Sequence, residues 1–488
     1  MEGIEKNLEQ SLLPNQSEVK RDEGPVTWDV LLEEVKRLAY VAGPMVATII
    51  SLYLLQVISM MMVGHLGELA LSSTAIAISL ANVTGFSLLN GMAAALETLC
   101  GQAFGAGEYR KLGNQTYGAI FSLILVCLGL SIIWLNMGKL LILIGQDPII
   151  AHEAGKFTTC LIPALVAYAT YQPLLRFYQT QSVIIPMLMC SCVTLTLHIP
   201  LSWFLVYKSG LNNLGGALAI GISNWLNVIF LGLHMNYSSV FAKTRVPVSM
   251  ELFQEIGEFF RYAIPSSLMI CLQWWSYEIV ILLSGLLPNP QLETSVLSVC
   301  LTTISTLYSI PYGLSAAVST RVSNELGAGN PQAARVAVYS VMILAVTELL
   351  AVSGALFASR HVFGYIFSGD KEVVDYVSTV APLVCLSVIV DGSQGVLSGV
   401  ARGCGWQKLG AYVNLASLYL GGVPAAAILG FWLQLRAKGL WFGLQLGAIL
   451  QTILLLVVTC CTNWEKQAIN ARERIFEGRR SRTKHVLV

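Results

Sequence analysis

The chain has 488 residues, 55% of them hydrophobic and 12% charged, which is about half the charged fraction of an ordinary soluble domain. Its formal net charge of +1 gives no support to a nucleic-acid-binding protein. The eleven cysteines follow no metal-ligand or disulfide spacing, so we interpret them as small apolar packing residues and expect no bound metal or cofactor. Composition therefore favours a membrane protein.

Apolar runs separated by polar breaks recur along the chain, and each is long enough for a membrane-spanning helix, which needs about 20 mostly apolar residues. Lipid offers the backbone no water, so the spans are expected to be closed helices and the fold an all-α membrane bundle. The twelve predicted spans are 40–63, 69–95, 115–136, 157–178, 184–207, 215–236, 259–286, 293–318, 336–357, 374–400, 409–430 and 439–461.

Polar segments flank and divide these runs. Residues 1–35 lack the apolar stretch of a signal peptide and are predicted to form a disordered tail. Residues 239–258 are predicted to link the two halves, and residues 464–488 to form a basic tail. With the N-terminus in the cytosol, most of the 29 Lys and Arg residues lie on the cytosolic side, so both termini are predicted to be cytosolic.

A phrase rich in glycine and alanine occurs twice, as NGMAAALETLCGQAFGAGE from Asn90 and as YGLSAAVSTRVSNELGAGN from Tyr312. Both copies follow the same fixed offset along the chain and run from the end of an even-numbered span. Six spans per copy make both halves enter the membrane in the same direction, related by a pseudo-two-fold axis along the membrane normal. We therefore predict two six-helix lobes, 36–238 and 259–463, with a substrate cleft between them.

The register of the repeat also reveals a chemical difference between the halves. Gln56 and Ala169 in the first half correspond to Glu278 and Asp391 in the second. An ionised side chain within the bilayer costs several kcal/mol and is retained mainly where it faces a cavity or a partner. Glu278 and Asp391 are therefore the predicted proton-coupling residues, and the alternative is that either acid only forms a hydrogen bond inside the bundle.

Carboxylic acids at such depth suit proton-coupled exchange. Desolvation favours the neutral form of the acid, so the group can take up a proton from an acidic compartment and release it to a neutral cytosol. Protonation removes the negative charge that would hold a cationic substrate. Proton and substrate then compete for one lobe, which is the basis of antiport.

Polar and aromatic neighbours supply candidate substrate contacts. Aromatic faces beside a carboxylate attract flat organic cations, and amide side chains in apolar helices can bind a substrate or simply join two helices. The predicted substrate-binding residues are Gln56, Asn82 and Gln172 in the first half and Gln273, Trp274, Tyr277 and Gln394 in the second. Glu97 is interpreted as structural, and the roles of Glu348, His198 and His234 stay open.

Several segments resemble the multidrug and toxic compound extrusion (MATE) transporters, specifically the plant DETOXIFICATION subfamily. They include VGHLGELALSSTAIA, ALETLCGQAFGAG, RVSNELGAGNPQAAR and VLSGVARGCGWQKLGAYVN. The resemblance implies a two-lobed carrier that alternates between outward-open and inward-open states. It also implies that the family's acids in the seventh and tenth helices correspond to Glu278 and Asp391. Many prokaryotic members carry an aspartate in the first helix, where this chain has Gln56.

The predicted function is therefore secondary active efflux of organic cations, alkaloids, flavonoids or other xenobiotics and metabolites in exchange for protons. The protein is expected to act as a monomer in the plasma or vacuolar membrane. No paired-histidine, HExxH or GxSxG motif indicates an enzyme. Two alternatives remain: an exporter of an organic anion or hormone with indirect proton coupling, and a flippase for lipid-linked substrates. A flippase would favour a more cationic cleft, and the positive residues are predicted to lie almost wholly in loops.

Overall fold

The computed structural model describes residues 27–366 and 371–486, and over these ranges its regular secondary structure is entirely helical. Twelve stretches are long and apolar enough to cross a membrane when one bent pair is taken as a single span. In chain order, the spans are Trp28–Gly64 (α1), Glu68–Gly105 (α2), Tyr109–Leu135 (α3), Pro148–Cys160 with Ile162–Thr180 (α4), Ile185–Lys208 (α5), Asn213–Tyr237 (α6), Leu252–Ser284 (α7), Leu292–Ala328 (α8), Pro331–Ala358 (α9), Val373–Cys404 (α10), Gln407–Trp432 (α11) and Arg436–Cys460 (α12).

Each predicted apolar run falls on one of these spans, which confirms the all-α bundle of twelve helices. The fourth span is bent by 45° between its two pieces. The second piece carries a proline in its first turn, where the missing backbone N–H is tolerated but the preceding helix cannot continue straight.

The ends of the lobes differ from the expected boundaries. Helix α1 begins at Trp28, so residues 28–35 of the expected tail are helical, and residues 1–26 lie outside the described part. Helix α7 begins at Leu252, inside the predicted linker. The basic C-terminal segment forms a further helix, α13, Trp464–Val486.

The two halves of the bundle, α1–α6 (N-lobe) and α7–α12 (C-lobe), meet along their repeated phrases. Asn90 Nδ2 donates to the Tyr312 hydroxyl at 3.3 Å, and these residues are 222 positions apart. That offset is also the one at which the two phrases correspond, so equivalent residues face each other. The pseudo-two-fold axis therefore passes between α2 and α8 at this pair.

Glycines of the phrase allow the lobes to touch backbone to backbone. A Cβ at Gly105 would collide with the carbonyl oxygen of Asn324, and a Cβ at Gly327 would collide with the carbonyl oxygen of Gln102. Gln102 and Asn324 are themselves 222 residues apart, so the two contacts are symmetry-related copies of one contact. We call the end of the bundle where α2 and α8 cross in this way the closed end.

Helix α13 lies across the seam between the lobes at the closed end. The Arg474 guanidinium donates to Gln102 Oε1 of α2 and to the carbonyl oxygen of Cys404 at the end of α10, each at 3.2 Å. Lys111 of α3 donates to the carbonyl oxygen of Ile475 at 3.4 Å. The C-terminal helix thus contacts both lobes.

The glycine contact makes a testable prediction for packing. Gly105→Ala forces apart two backbones that cannot shift independently, and overpacking of this kind costs about 1–3 kcal/mol. We expect a lower apparent unfolding temperature in detergent. Gly129→Ala is the matched control because a Cβ there meets no atom within 4 Å. Equal unfolding temperatures for the two variants would contradict close contact of the lobes at Gly105.

Candidate functional site

A buried acid lies in the interior of the C-lobe. Asp391 of α10 is 3% exposed, and its Oδ2 accepts a hydrogen bond from the Tyr277 hydroxyl of α7 at 2.5 Å. No cation pairs with Asp391 among the described residues. The acid is therefore held by a neutral donor and is free to change its protonation state without breaking an ion pair.

An amide pair joins the same two helices about one turn closer to the closed end than this acid. Gln273 Nε2 donates to Gln394 Oε1 at 2.6 Å, and Gln394 Nε2 donates back to Gln273 Oε1 at 3.0 Å. Gln394 also donates to the Ser398 hydroxyl at 2.7 Å. Since each amide satisfies the other, the pair fixes the spacing of α7 and α10 beside Asp391.

These groups border a cavity with aromatic walls. Trp274 of α7 and Tyr308 of α8 meet edge to face, with ring centroids 6.1 Å apart. The upper cavity is lined by Gln273, Trp274, Tyr277, Leu301, Ile304, Ser305, Tyr308 and Asp391. A second cavity adjoins the first, shares Gln273, Trp274 and Tyr308 with it, and is also lined by Met269, Ile270, Tyr312, Ser398 and Arg402; we call this second cavity the floor. Gln394 lies next to it through Gln273.

Glu278 does not join this cavity lining. Its side chain is half-buried and forms no hydrogen bond or ion pair with any described residue. Trp275, three residues earlier on the same helical face, donates its indole N–H to the carbonyl oxygen of Val83 in α2 at 3.2 Å. Glu278 therefore lies on α7 between Trp275, which contacts the N-lobe, and Trp274, which borders the cavity, whereas Tyr277 points into the C-lobe.

The N-lobe candidates lie apart from the C-lobe cavity. Gln56 of α1 and Asn82 of α2 exchange long amide hydrogen bonds of 3.5 and 3.4 Å, and Asn82 opens a π-helical turn, Asn82–Phe86. Gln172 is buried in α4 without a hydrogen bond to a described residue. None of the three lines the cavity next to Asp391.

Three further titratable residues occupy different settings within the spans. His198 is buried between the hydroxyls of Ser59 at 3.1 Å and Ser223 at 2.8 Å, so both its ring nitrogens are engaged inside the N-lobe. His234 Nδ1 lies 2.9 Å from the hydroxyl of Tyr178. Both carboxyl oxygens of Glu348 are buried without a hydrogen-bond partner among the described residues.

The charge cluster at the closed end was missed by the sequence analysis. Glu97 of α2 is 1% exposed, with Oε1 3.3 Å from Arg176 Nε of α4 and Oε2 2.8 Å from Arg402 Nε of α10. One carboxylate is thus shared by an arginine of its own lobe and one of the opposite lobe. A buried pair of this kind has a favourable energy only when its remaining hydrogen-bonding positions are also satisfied.

Neighbouring hydroxyls and amides supply several of those remaining bonds. Arg402 Nη2 donates to Ser315 of α8 at 2.7 Å. Arg176 Nη2 donates to Asn90 Oδ1 at 3.1 Å and to the Tyr312 hydroxyl at 3.2 Å. The cluster is therefore continuous with the pair on the pseudo-two-fold axis.

This cluster corrects the expectation that positive residues lie almost wholly in loops. Arg176 and Arg402 are 1% and 4% exposed, because the lobes close over the helix ends that carry them. A sequence signal existed: a buried acid such as Glu97 needs a positive partner at the same depth, and these two arginines lie near the same ends of their spans.

The shared carboxylate leads to a stability prediction. Glu97→Gln leaves two buried guanidinium groups without their common counter-charge, and breaking a buried ion pair costs about 3–5 kcal/mol. A clear fall in apparent unfolding temperature is expected. Glu153→Gln provides the control, since its bond to Lys156 is solvent-exposed and such pairs contribute about 0–1 kcal/mol. A fall no larger than that of the control would show that the cluster does not stabilise the fold.

Comparison with known proteins agrees with this architecture. The MatE family model matches residues 44–204 and 265–428, which are corresponding segments of the two lobes. Protein DETOXIFICATION 12 from Arabidopsis thaliana is 60% identical over 480 residues, covering 97% of this chain and 99% of that protein. Protein DETOXIFICATION 14 from the same plant is 55% identical over 489 residues, covering 99% of each.

Solved structures show the same fold. The crystal structure of the eukaryotic MATE transporter AtDTX14 matches with a TM-score of 0.89 at 58% identity, over 92% of this chain and all of that one. An outward-facing multidrug resistance MATE transporter matches with a TM-score of 0.78 at 15% identity, over the same share of this chain and all of its own, which shows likeness of fold alone. With twelve spans in two lobes and relatives along its whole length, the chain belongs to the MATE family of membrane transporters.

Proposed function

We propose that this transporter exports organic substrates in exchange for protons, and that Asp391 is its principal proton site. The observation that carries the proposal is a single buried carboxyl group that borders an aromatic cavity and is held by a hydroxyl donor instead of a cation. Such an acid can alternate between a charged form that attracts a cation and a neutral form that does not.

The lining of the cavity next to Asp391 has the chemistry that attracts a flat organic cation. The faces of Trp274 and Tyr308 attract positive charge through their π systems, and the anionic carboxylate adds an attraction that is strengthened by exclusion of water. When Asp391 takes up a proton, the electrostatic part of this attraction disappears. The substrate is then released to the acidic side. The proton stays on Asp391 while the carrier changes to its inward-open state, and it is released to the cytosol.

Glu278 has a different place in the proposal. Its carboxyl group is outside the cavity lining and lies one turn from Trp275, which contacts α2. A change of its charge therefore acts on the contact between the lobes, whereas a change at Asp391 acts on the cavity. Both acids act in one transport cycle: Glu278 changes the position of α7, and Asp391 changes the attraction of the cavity for the substrate.

The lobes, 36–238 and 259–463, are proposed to rock against each other about the pseudo-two-fold axis. With both termini in the cytosol, the closed end faces the cytosol and the structure is in an outward-facing state. The hydrogen bonds that join α2 to α8 and α10 must then break before cytosolic substrate can enter, and each half contributes one copy of the glycine contact.

Transport by reconstituted protein tests the exchange. Vesicles with an acidic lumen are expected to accumulate ethidium, a flat organic cation, and to lose it on addition of a protonophore. Asp391→Asn is expected to abolish this gradient-driven accumulation because the amide carries no titratable proton. Glu278→Gln is expected to reduce it strongly while Glu153→Gln, which alters an exposed carboxyl, retains it. Normal accumulation by the Asp391 variant would exclude that residue as the proton site.

The proposed orientation has its own test. In cells, with the exposed native Cys192, Cys460 and Cys461 replaced by serine, a membrane-impermeant maleimide is expected to label Ser209→Cys in the α5–α6 loop. Met250→Cys, in the segment before α7, is expected to be labelled only after the membrane is permeabilised. The reverse pattern would place the termini outside the cytosol.

A further inference from the structure

Polar residues form a single stripe along α10, with opposite charges at its two ends. Asp391, Gln394, Ser398 and Arg402 follow each other at steps of three, four and four residues, which places them on one helical face. At about 1.5 Å per residue the stripe is about 16 Å long. Asp391 borders the upper cavity, and Ser398 and Arg402 border the adjoining cavity that forms its floor, so the two together have an acidic upper end and a basic floor.

The guanidinium group of Arg402 is only partly used by the protein. Its Nε donates to Glu97 and its Nη2 donates to Ser315. Its Nη1 makes no hydrogen bond to a described residue, although Arg402 is 4% exposed and lines the cavity floor beside Tyr312 and Ser398. One donor edge of a buried cation is thus available to whatever occupies the cavity.

The charge balance around this edge is positive. Glu97 is one carboxylate between two guanidinium groups, so the buried cluster carries an excess of one positive charge. Arg474 of α13 donates to the carbonyl oxygen of Cys404, two residues after Arg402, so this further charged neighbour is also positive. A desolvated cation with a free donor binds carboxylate oxygens through short, charge-assisted hydrogen bonds.

We infer that Arg402 forms an anion subsite at the floor of the transport cavity, where it binds an anionic group of the substrate. A basic or aromatic part of that substrate lies against Trp274 and Asp391, and a carboxylate or phenolate group reaches Arg402. The inference rests on the proposed function for the identity of the cavity, and it adds a contact for a substrate anion at the opposite end from Asp391.

The same geometry connects the cavity to the closed end. A substrate anion and the Glu97 carboxylate both bind the guanidinium group of Arg402, so the binding of either one weakens the interaction of the other. Glu97 retains its second partner, Arg176, within its own lobe. Binding at the subsite therefore loosens a bond between the lobes and leaves the N-lobe internally paired.

Equilibrium binding without a proton gradient tests the subsite separately from antiport. The probes are tetramethylrhodamine, which carries a free carboxylate, and its methyl ester, which lacks it. Each is titrated by fluorescence anisotropy into purified full-length protein, with empty micelles as the baseline. The wild type is expected to bind the acid roughly tenfold more tightly than the ester. This ratio corresponds to about 1.4 kcal/mol for the charge-assisted contact.

Opposite effects are expected from the two partners of the ion pair. Arg402→Gln should remove the preference for the acid while retaining ester binding, and Arg402→Lys should keep part of the preference because the charge remains. Glu97→Gln should increase the preference, since it frees Arg402. Asp391→Asn should weaken both probes by the same factor.

Three outcomes would overturn the inference. The wild type could bind the acid and the ester equally, a result that needs no folded variant. Arg402→Gln could keep the preference of the wild type. Glu97→Gln could lose the preference as Arg402→Gln does, which would make Arg402 only a structural bond between the lobes. Loss of gradient-driven transport with intact acid preference would instead contradict the antiport proposal and leave the subsite in place.

Discussion

The structure depends on one carboxylate shared by two lobes. Glu97 is almost fully buried and contacts Arg176 of its own lobe and Arg402 of the other. A charge buried in this way would be strongly destabilising alone, so the lobes are held in the arrangement that pairs it. The pairing joins α10 to α2 at the closed end, and the glycines of the repeated phrases make the required approach of the backbones sterically feasible.

The contacts that join the two lobes follow the pseudo-two-fold symmetry, whereas the acid beside the cavity departs from it. Equivalent residues such as Asn90 and Tyr312 meet on the pseudo-two-fold axis, and the glycine contacts occur as related copies. The titratable cavity group occurs in one half only, since Ala169 occupies the position that corresponds to Asp391. In the proposed cycle the proton site thus belongs to one lobe of a duplicated bundle, while the candidate amides of the other lobe pair with each other or remain buried.

Much of the fold could be predicted from the sequence because spans and repeats are local or periodic signals. Helical spacing could also group Gln273, Trp274 and Tyr277 on α7, and Asp391 with Gln394 on α10, but it could not show that these two faces meet. The sequence could not show which of Tyr277 and Glu278 faces the cavity. Adjacent residues on a helix point about 100° apart, and only the packing of α7 against α2 determines which of the two side chains lines the cavity. The buried arginines were missed because a sequence does not show how far one lobe covers the helix ends of the other.

The C-terminal helix adds a mechanical constraint from outside the twelve spans. Arg474 bonds to both lobes at once, so a chain end fixed in this way cannot follow both lobes when they separate. One set of its contacts must be released, each with a net free energy of about 1 kcal/mol. If the lobes rock as proposed, the last helix adds to the activation barrier of that motion.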